Sequence, residues 1–359
     1  MVTSSDLQLD LSELSTKLQR SVKLDHLFSL TDNVAFLQHA EFSVPAKKKG
    51  YTVDDNARAL VFAVKGRRYW PSKKLSEFQR KMISFLLLMQ ADDGKFYNLL
   101  DFSHRYADEP TVGDHLGRAI WATGTVLNSD LPDGLRASAR RMFDQALPWA
   151  RDSISLRTKA YTCLGLCERF HTENDDPNLK SNIEFFADDL LNSFETNHGT
   201  NWQWFENILT YDNARLPQAL FCAHQCLPTS KYLDVAQISF HFLQQATMAG
   251  EFFAPIGNRG WYVKGGQKAL YDQQPIDAGA MIETSALAYK MTEREQYAKT
   301  IRQALGWFFG INTKSVTVYD EQTGACHDGI SEKGLNQNQG AESTISYPLA
   351  VATFLTHSD

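Results

Sequence analysis

Thr52-Val53-Asp54-Asp55-Asn56-Ala57-Arg58-Ala59-Leu60 and Thr210-Tyr211-Asp212-Asn213-Ala214-Arg215-Leu216-Pro217-Gln218-Ala219-Leu220 say nearly the same thing twice. Each sets Asp-Asn-Ala-Arg at the head of an apolar helical run, and each follows a loop of polar and aromatic residues. The copies stand 157 residues apart, and a string reused at that distance marks an internal repeat.

Outward from these copies the chain alternates helix and loop. Residues 24–42 show helical periodicity, with Leu27, Leu30, Val34 and Leu37 on one face, after a start (1–23) that reads as frayed. Turn signals at Pro71-Ser72 and Asp92-Asp93-Gly94 bracket an apolar helix. Continued to the C-terminus, the pattern predicts about twelve helices in six hairpins. Their second helices open near Asp55, Asp114, Leu156, Asp212, Asp277 and Glu342, at intervals of 59, 42, 56, 65 and 65 residues. Connections leaving these second helices are short, and most of those entering them are long. Long loops gathered at one end carry function more often than structure. The expectation is an all-α, single-domain (α/α)6 toroid over 1–359, with its long loops at the N-terminal ends of the inner helices. Inner helices rich in small residues (Ala57, Ala59, Ala119, Gly279, Ala280) suit close packing about an axis. An open α-solenoid is the structural alternative.

Composition sets bounds. In 359 residues, 43% hydrophobic and 22% charged content is that of an ordinary globular chain. A formal charge of −6 offers no electrostatic case for nucleic acid or an anionic membrane. No signal peptide or spanning segment is visible, so the expected compartment is the cytoplasm. Cys163/Cys167 and Cys222/Cys226 have i,i+4 spacing, but their apolar neighbours make them core residues, and no metal or other cofactor is expected.

The predicted toroid and its carboxylate-bearing rim resemble the six-hairpin glycosidase superfamily. Several segments also resemble uncharacterised bacterial proteins found alone or fused behind glycosyltransferase domains. These are Gly50-Tyr51-Thr52 to Leu60, Trp204-Phe205-Glu206 to Leu220, Ile256-Gly257-Asn258-Arg259-Gly260-Trp261-Tyr262, Asp272-Gln273-Gln274-Pro275-Ile276 and Asn338-Gln339-Gly340-Ala341-Glu342-Ser343-Thr344. The resemblance implies carbohydrate metabolism, with an oligosaccharide or glycoconjugate as substrate and a glycosyltransferase as a conceivable partner.

The rim residues supply matching chemistry. Cleaving a glycosidic bond takes a protonated acid and a second carboxylate, about 5–5.5 Å apart for retention or about 6.5–9.5 Å for inversion. Asp55, Asp114, Glu206, Asp212 and Glu342 are the catalytic candidates. Hairpin counting sets Asp55 opposite Asp212, and Asp114 opposite Asp277, across a central acidic cavity. Glu206 lies among Trp202, Trp204 and Phe205, where partial burial would raise its pKa as an acid requires. Asp54, His115, Trp202, Trp204, Asn258, Arg259, Trp261, Tyr262, Gln273, Gln274, Asp277 and Gln339 are substrate-binding candidates: carboxylates and amides for hydroxyls, aromatics for pyranose faces. Asp108, Glu109 and Asp272 add further rim carboxylates. An aspartate at a helix start is also an ordinary N-cap, and Arg58 and Arg215 read as structural partners for the carboxylates. The leading expectation is a glycoside hydrolase. The alternatives are a sugar epimerase or isomerase using His115, His104 or His327, a polysaccharide lyase, and a glycan-binding module without turnover.

Overall fold

The computed structural model describes residues 2–358. In chain order its helices are α1 (Leu11–Ser21), α2 (Asp25–Ser29), α3 (Val53–Gly66), α4 (Lys73–Met89), α5 (Asp114–Leu127), α6 (Asp133–Ala150), α7 (Leu156–Phe170), α8 (Pro177–Asn197), α9 (Arg215–Cys226), α10 (Ser230–Ala246), α11 (Pro275–Thr292), α12 (Glu295–Phe308) and α13 (Ala341–Ser358). Helices α3, α5, α7, α9, α11 and α13 each touch the next and close a ring, α13 returning to α3. The other long helices pack outside it. This is an (α/α)6 toroid; the strands are all two-residue pairs within the loops.

Caps fix where the helices begin. Asp10, Thr52, Ser72, Ser155 and Asp176 each accept a backbone N–H from the first turn that follows. Small residues then set how closely the ring packs. A Cβ on Gly124 would lie 2.2 Å from the Gly165 carbonyl oxygen, and one on Gly165 would lie 2.5 Å from that of Ile120. Helices α5 and α7 therefore meet backbone to backbone, and a methyl group at either position would force them apart.

The N-terminal segment departs from expectation. Residues 11–21 are not frayed: α1 buries Leu14 and Leu18 and serves as the outer helix against α13. It is tied down by Trp70 Nε1 donating to the Gln19 carbonyl at 2.9 Å and by a 2.6 Å hydrogen bond between the Ser21 and Tyr347 hydroxyls. The helix predicted over 24–42 is only the single turn α2. Beyond it, Asp32 accepts from the backbone N–H groups of Val34 and Ala35 and turns the chain. The Asn56 amide then engages both backbone groups of Phe36, which holds the segment extended beside α3.

The cysteine pairs of α7 and α9 meet at the interface of those helices. Burial, then contact with Cys163 and Cys226, pushes the Cys167 thiol well above its ordinary pKa. Among the described residues no His, Cys, Asp or Glu group has a metal-holding arrangement, and no helix is long and apolar enough to cross a membrane.

Candidate active site

Gly50-Tyr51-Thr52 enters α3 extended, with Tyr51 and Thr52 paired to Leu100 and Leu99 of the long loop between α4 and α5. Gly50 has φ +67, and a Cβ there would sit 2.1 Å from the Leu100 carbonyl oxygen, so this closure requires glycine. Thr52 caps the helix: its Oγ1 accepts the Asp55 N–H at 3.1 Å and donates to Asp55 Oδ2 at 2.5 Å. Asp54 is engaged elsewhere, paired with Arg118 of α5 and accepting Asn98 Nδ2 at 3.0 Å. One turn on, Arg58 places Nη2 2.8 Å from Glu342 Oε2 of α13 and 3.9 Å from Asp55 Oδ1.

These groups form one wall of a cavity of about 330 Å³ between the heads of α3 and α13. Gln38 and His39, Asn258 with Asp272 and Gln274, and Asp328 with Asn336 complete it from three loops. A larger cavity of about 880 Å³ lies outside the ring, between α10, α12 and the N-terminal segment. Its lining is mainly amide and apolar, and of its two glutamates Glu295 is paired with Arg302, so it lacks the convergent carboxyls of the rim cavity and chemistry rather than size selects the site.

Adjacent carboxyls here are driven in opposite directions. Burial raises the Asp55 carboxyl to about 7; Arg58 opposes the rise, and the Glu342 and Asp54 charges add to it. Burial also pulls on Asp54, but Arg118 and then Arg58 outweigh it and hold that carboxyl below its ordinary value. Near neutral pH Asp55 is thus poised between its protonated and ionised forms, beside an ionised Asp54.

In its middle the toroid axis is filled; a cavity of about 490 Å³ opens on it from the opposite end, among the C-terminal turns of the ring helices. Asp212 is fully buried: Tyr161 donates its hydroxyl to Oδ2, and Arg215 Nε lies 3.2 Å from Oδ1. Arg215 continues to Gln218 at 2.8 Å and Glu283 of α11 at 2.7 Å. The Asp212 N–H donates to Asp277 Oδ1 at 2.7 Å, and burial with the Asp212 charge pushes the Asp277 carboxyl well up. Asp114 accepts the hydroxyls of Ser155 at 2.5 Å, Thr158 at 3.0 Å and Tyr211; burial would raise its pKa, but Arg118 and these donors hold it low.

The expected site residues therefore divide. Asp54, Asp55, Asn258, Gln274 and Glu342 line the cavity. Asp114, Asp212 and Asp277 belong to the axial network, so neither opposed pair faces a shared space. Glu206 is held by Arg157 Nη1 at 3.0 Å and does not line the cavity. Trp202 and Trp204 are buried, Trp202 against Phe242 and Tyr262, so they are core and not sugar platforms. Trp261 packs near Tyr211 outside the cavity, and Arg259 reaches it only by holding Asp272 at 3.0 Å. Gln273 is consumed by Trp307, Leu270 and Thr313. Gln339 is buried, its carbonyl 2.9 Å from His26 Nε2. His115 Nε2 lies 3.0 Å from the Phe96 carbonyl, an acceptor that takes the ring N–H, and His115 does not line the cavity. Sequence reasoning passed over Gln38, His39, Asn98 and Asp328. Asp328 precedes a glycine in a loop and reads as a turn residue, so only the folded loops reveal it.

The sequence matches no protein-family profile and no curated protein. Solved structures share the toroid over nearly the whole chain. A sugar epimerase from a ruminal bacterium superposes at TM-score 0.75 with 11% identity, over 96% of this chain and 99% of that one. D-mannose isomerase gives 0.74 at 12% identity, over 97% and 98%. An α-1,6-mannanase from Salegentibacter sp. gives 0.64 at 11% identity, over 97% and 100%. That structure is described as an inactive variant with two consecutive aspartates changed to asparagine, in complex with α-1,6-mannotriose.

Proposed function

We propose that this chain is a carbohydrate-active enzyme, specifically a glycoside hydrolase with Asp55 as proton donor and Asp54 as its ionised partner. The observation that carries this reading is the opposite displacement of two adjacent carboxyls on one cavity wall. Paired carboxyls whose environments separate their pKa values divide into acid and base. Asp55 gives its proton to the glycosidic oxygen as the bond to the anomeric carbon breaks. Asp54 stabilises the positive charge that develops there and accepts a proton from the incoming water. The consecutive aspartates replaced in the inactive mannanase support the same assignment. The test is reducing-sugar release from α-mannan and cello-oligosaccharides, followed by NMR of the first-formed anomer. Unchanged rates in both Asp54→Asn and Asp55→Asn would defeat it.

The epimerase and isomerase neighbours, with His39 on the cavity wall, support a second reading, proton transfer beside a sugar carbonyl. D-mannose in deuterated water separates the two: exchange at C2 without a rise in reducing ends belongs to the second alone.

A further inference from the structure

Two residues that line the rim cavity each carry a buried polar atom without the partner that its burial demands. Arg58 Nη1 is a buried donor with no acceptor, on a side chain only 4% exposed. Asp272 Oδ1 is a buried acceptor with no donor, its other oxygen being held by Arg259. Of the buried side-chain atoms without a partner among the described residues, these two alone belong to residues lining this cavity. An unpaired buried polar atom costs about 1–3 kcal/mol, more when charged, so such an atom calls for an explanation.

The cavity's charge narrows the class of molecule that could satisfy both atoms. Arg58, its one arginine or lysine, is paired with Glu342, and Asp54 and Asp272 also have arginine partners. Asp328 accepts a backbone N–H from Gly340 at 2.8 Å and, among the described residues, forms no ion pair. A ligand carboxylate or phosphate could meet Arg58, but it would oppose Asp272 and Asp328 across a cavity only about 330 Å³ in volume. A hydroxyl suits both orphans, because it can accept from one group and donate to another.

We infer that Arg58 and Asp272 are the sugar-recognition pair of this site, and that the unit they hold is an uncharged saccharide rather than a uronate or a sugar phosphate. The inference rests on the carbohydrate reading above but not on the hydrolytic step. Arg58 Nη1 donates to one hydroxyl or ring oxygen, and Asp272 Oδ1 accepts from another hydroxyl.

Binding without turnover tests it. D-mannose, D-glucose and D-glucuronate are titrated into the protein and into its Asp272→Ala and Arg58→Lys variants by calorimetry, with circular dichroism confirming the fold. At least one neutral sugar is expected to bind, and glucuronate about tenfold or more weaker. Losing a hydrogen bond to a charged group should weaken the neutral sugar about tenfold or more in Asp272→Ala while narrowing its margin over glucuronate. Should Arg58→Lys unfold, Asp272→Ala decides alone. Three outcomes overturn the inference: neutral-sugar affinity unchanged in folded Asp272→Ala, glucuronate binding as well as the neutral sugars, or no neutral sugar bound at tens of millimolar. Binding that depends on Asp272 without any hydrolysis would instead sink the hydrolase reading and leave this one standing.

Discussion

The heads of α3 and α9 carry the same four residues and have opposite fates. At α3 the string is already helical, with Val53 first and Asp55 third. At α9 the helix starts only at Arg215, and Asp212 sits at φ +48, in the left-handed region that a non-glycine residue seldom occupies. That difference turns Asp55 toward a cavity and seals Asp212 into the axis. The asparagines play one part in both copies. Asn56 accepts from and donates to the backbone at Phe36, and Asn213 does the same at Thr210. The arginines differ in company. Arg58 leaves one nitrogen unfilled on a cavity wall, whereas Arg215 is spent on Asp212, Gln218 and Glu283. A repeated motif thus keeps its backbone tie while one copy is open to chemistry and the other is closed around structure.

The sharpest way to break this comparison is catalytic. Asp55→Asn removes the transferable proton and should lower kcat about 10²- to 10⁴-fold. Asp212→Asn should lower activity only as far as it lowers the folded fraction. Rates normalised to folded protein by circular dichroism separate the two; equal normalised losses would mean that both copies do chemistry.

Next in size is stability. Glu283→Gln leaves Arg215 short of its best counter-charge in a fully buried setting and should cost about 3–5 kcal/mol in urea unfolding. Glu342→Gln, the matching change at the first copy, alters a partly exposed carboxylate and leaves Arg58 an amide oxygen to bond, so it should cost clearly less than the Glu283 change. Comparable losses would show that Arg58 is as structural as Arg215.

A smaller effect has the opposite sign. The Asp55 carboxyl is raised to about 7, so it disfavours folding where the unfolded chain would ionise it. Stability associated with it is intact below pH ~4 and falls as pH rises toward 7. Asp55→Asn removes that titration while leaving Thr52 an oxygen to bond. The variant should be more stable than the parent by about 1–3 kcal/mol at pH 8 and equal to it near pH 4. Urea midpoints across this range would show it, and a constant difference would assign the effect to packing.

The toroid was legible because its signals are periodic. Inner helices announce themselves by small residues and acidic heads, and the asymmetry of loop lengths tells which end is elaborated. The site was legible only in part. Asp54, Asp55 and Glu342 stand on helices whose starts can be read, so their convergence follows from the ring. The fate of Asp212 depends on one left-handed torsion, and that of Glu206 on Arg157, a residue of a different hairpin 49 positions away. Trp202 and Trp204 look like sugar platforms in a loop sequence, but the loop folds them into the core. Asp328 reaches the cavity from a loop, and His39 from a stretch whose helical periodicity misleads, since the chain leaves the helix after Ser29. What the sequence lacked was the long-range pairing that decides which charges are cancelled.

The finest test asks whether Glu342 tunes Asp55 through space. Its charge is among the influences that hold the Asp55 proton in place, and its ion pair occupies the Arg58 nitrogen that would otherwise favour ionised Asp55. Glu342→Gln removes the first influence and frees the second, and both changes lower the Asp55 pKa. Because Asp55 acts protonated, the alkaline limb of kcat/KM, expected near pH 7 in the parent, should move to lower pH in the variant. A purely structural Glu342 would lower the rate at every pH and leave the limb in place. An acidic shift joins the open copy of the motif to its neighbour on α13. The closed copy can show no such shift, since Glu283 and Arg215 are sealed from the cavity where the proton moves.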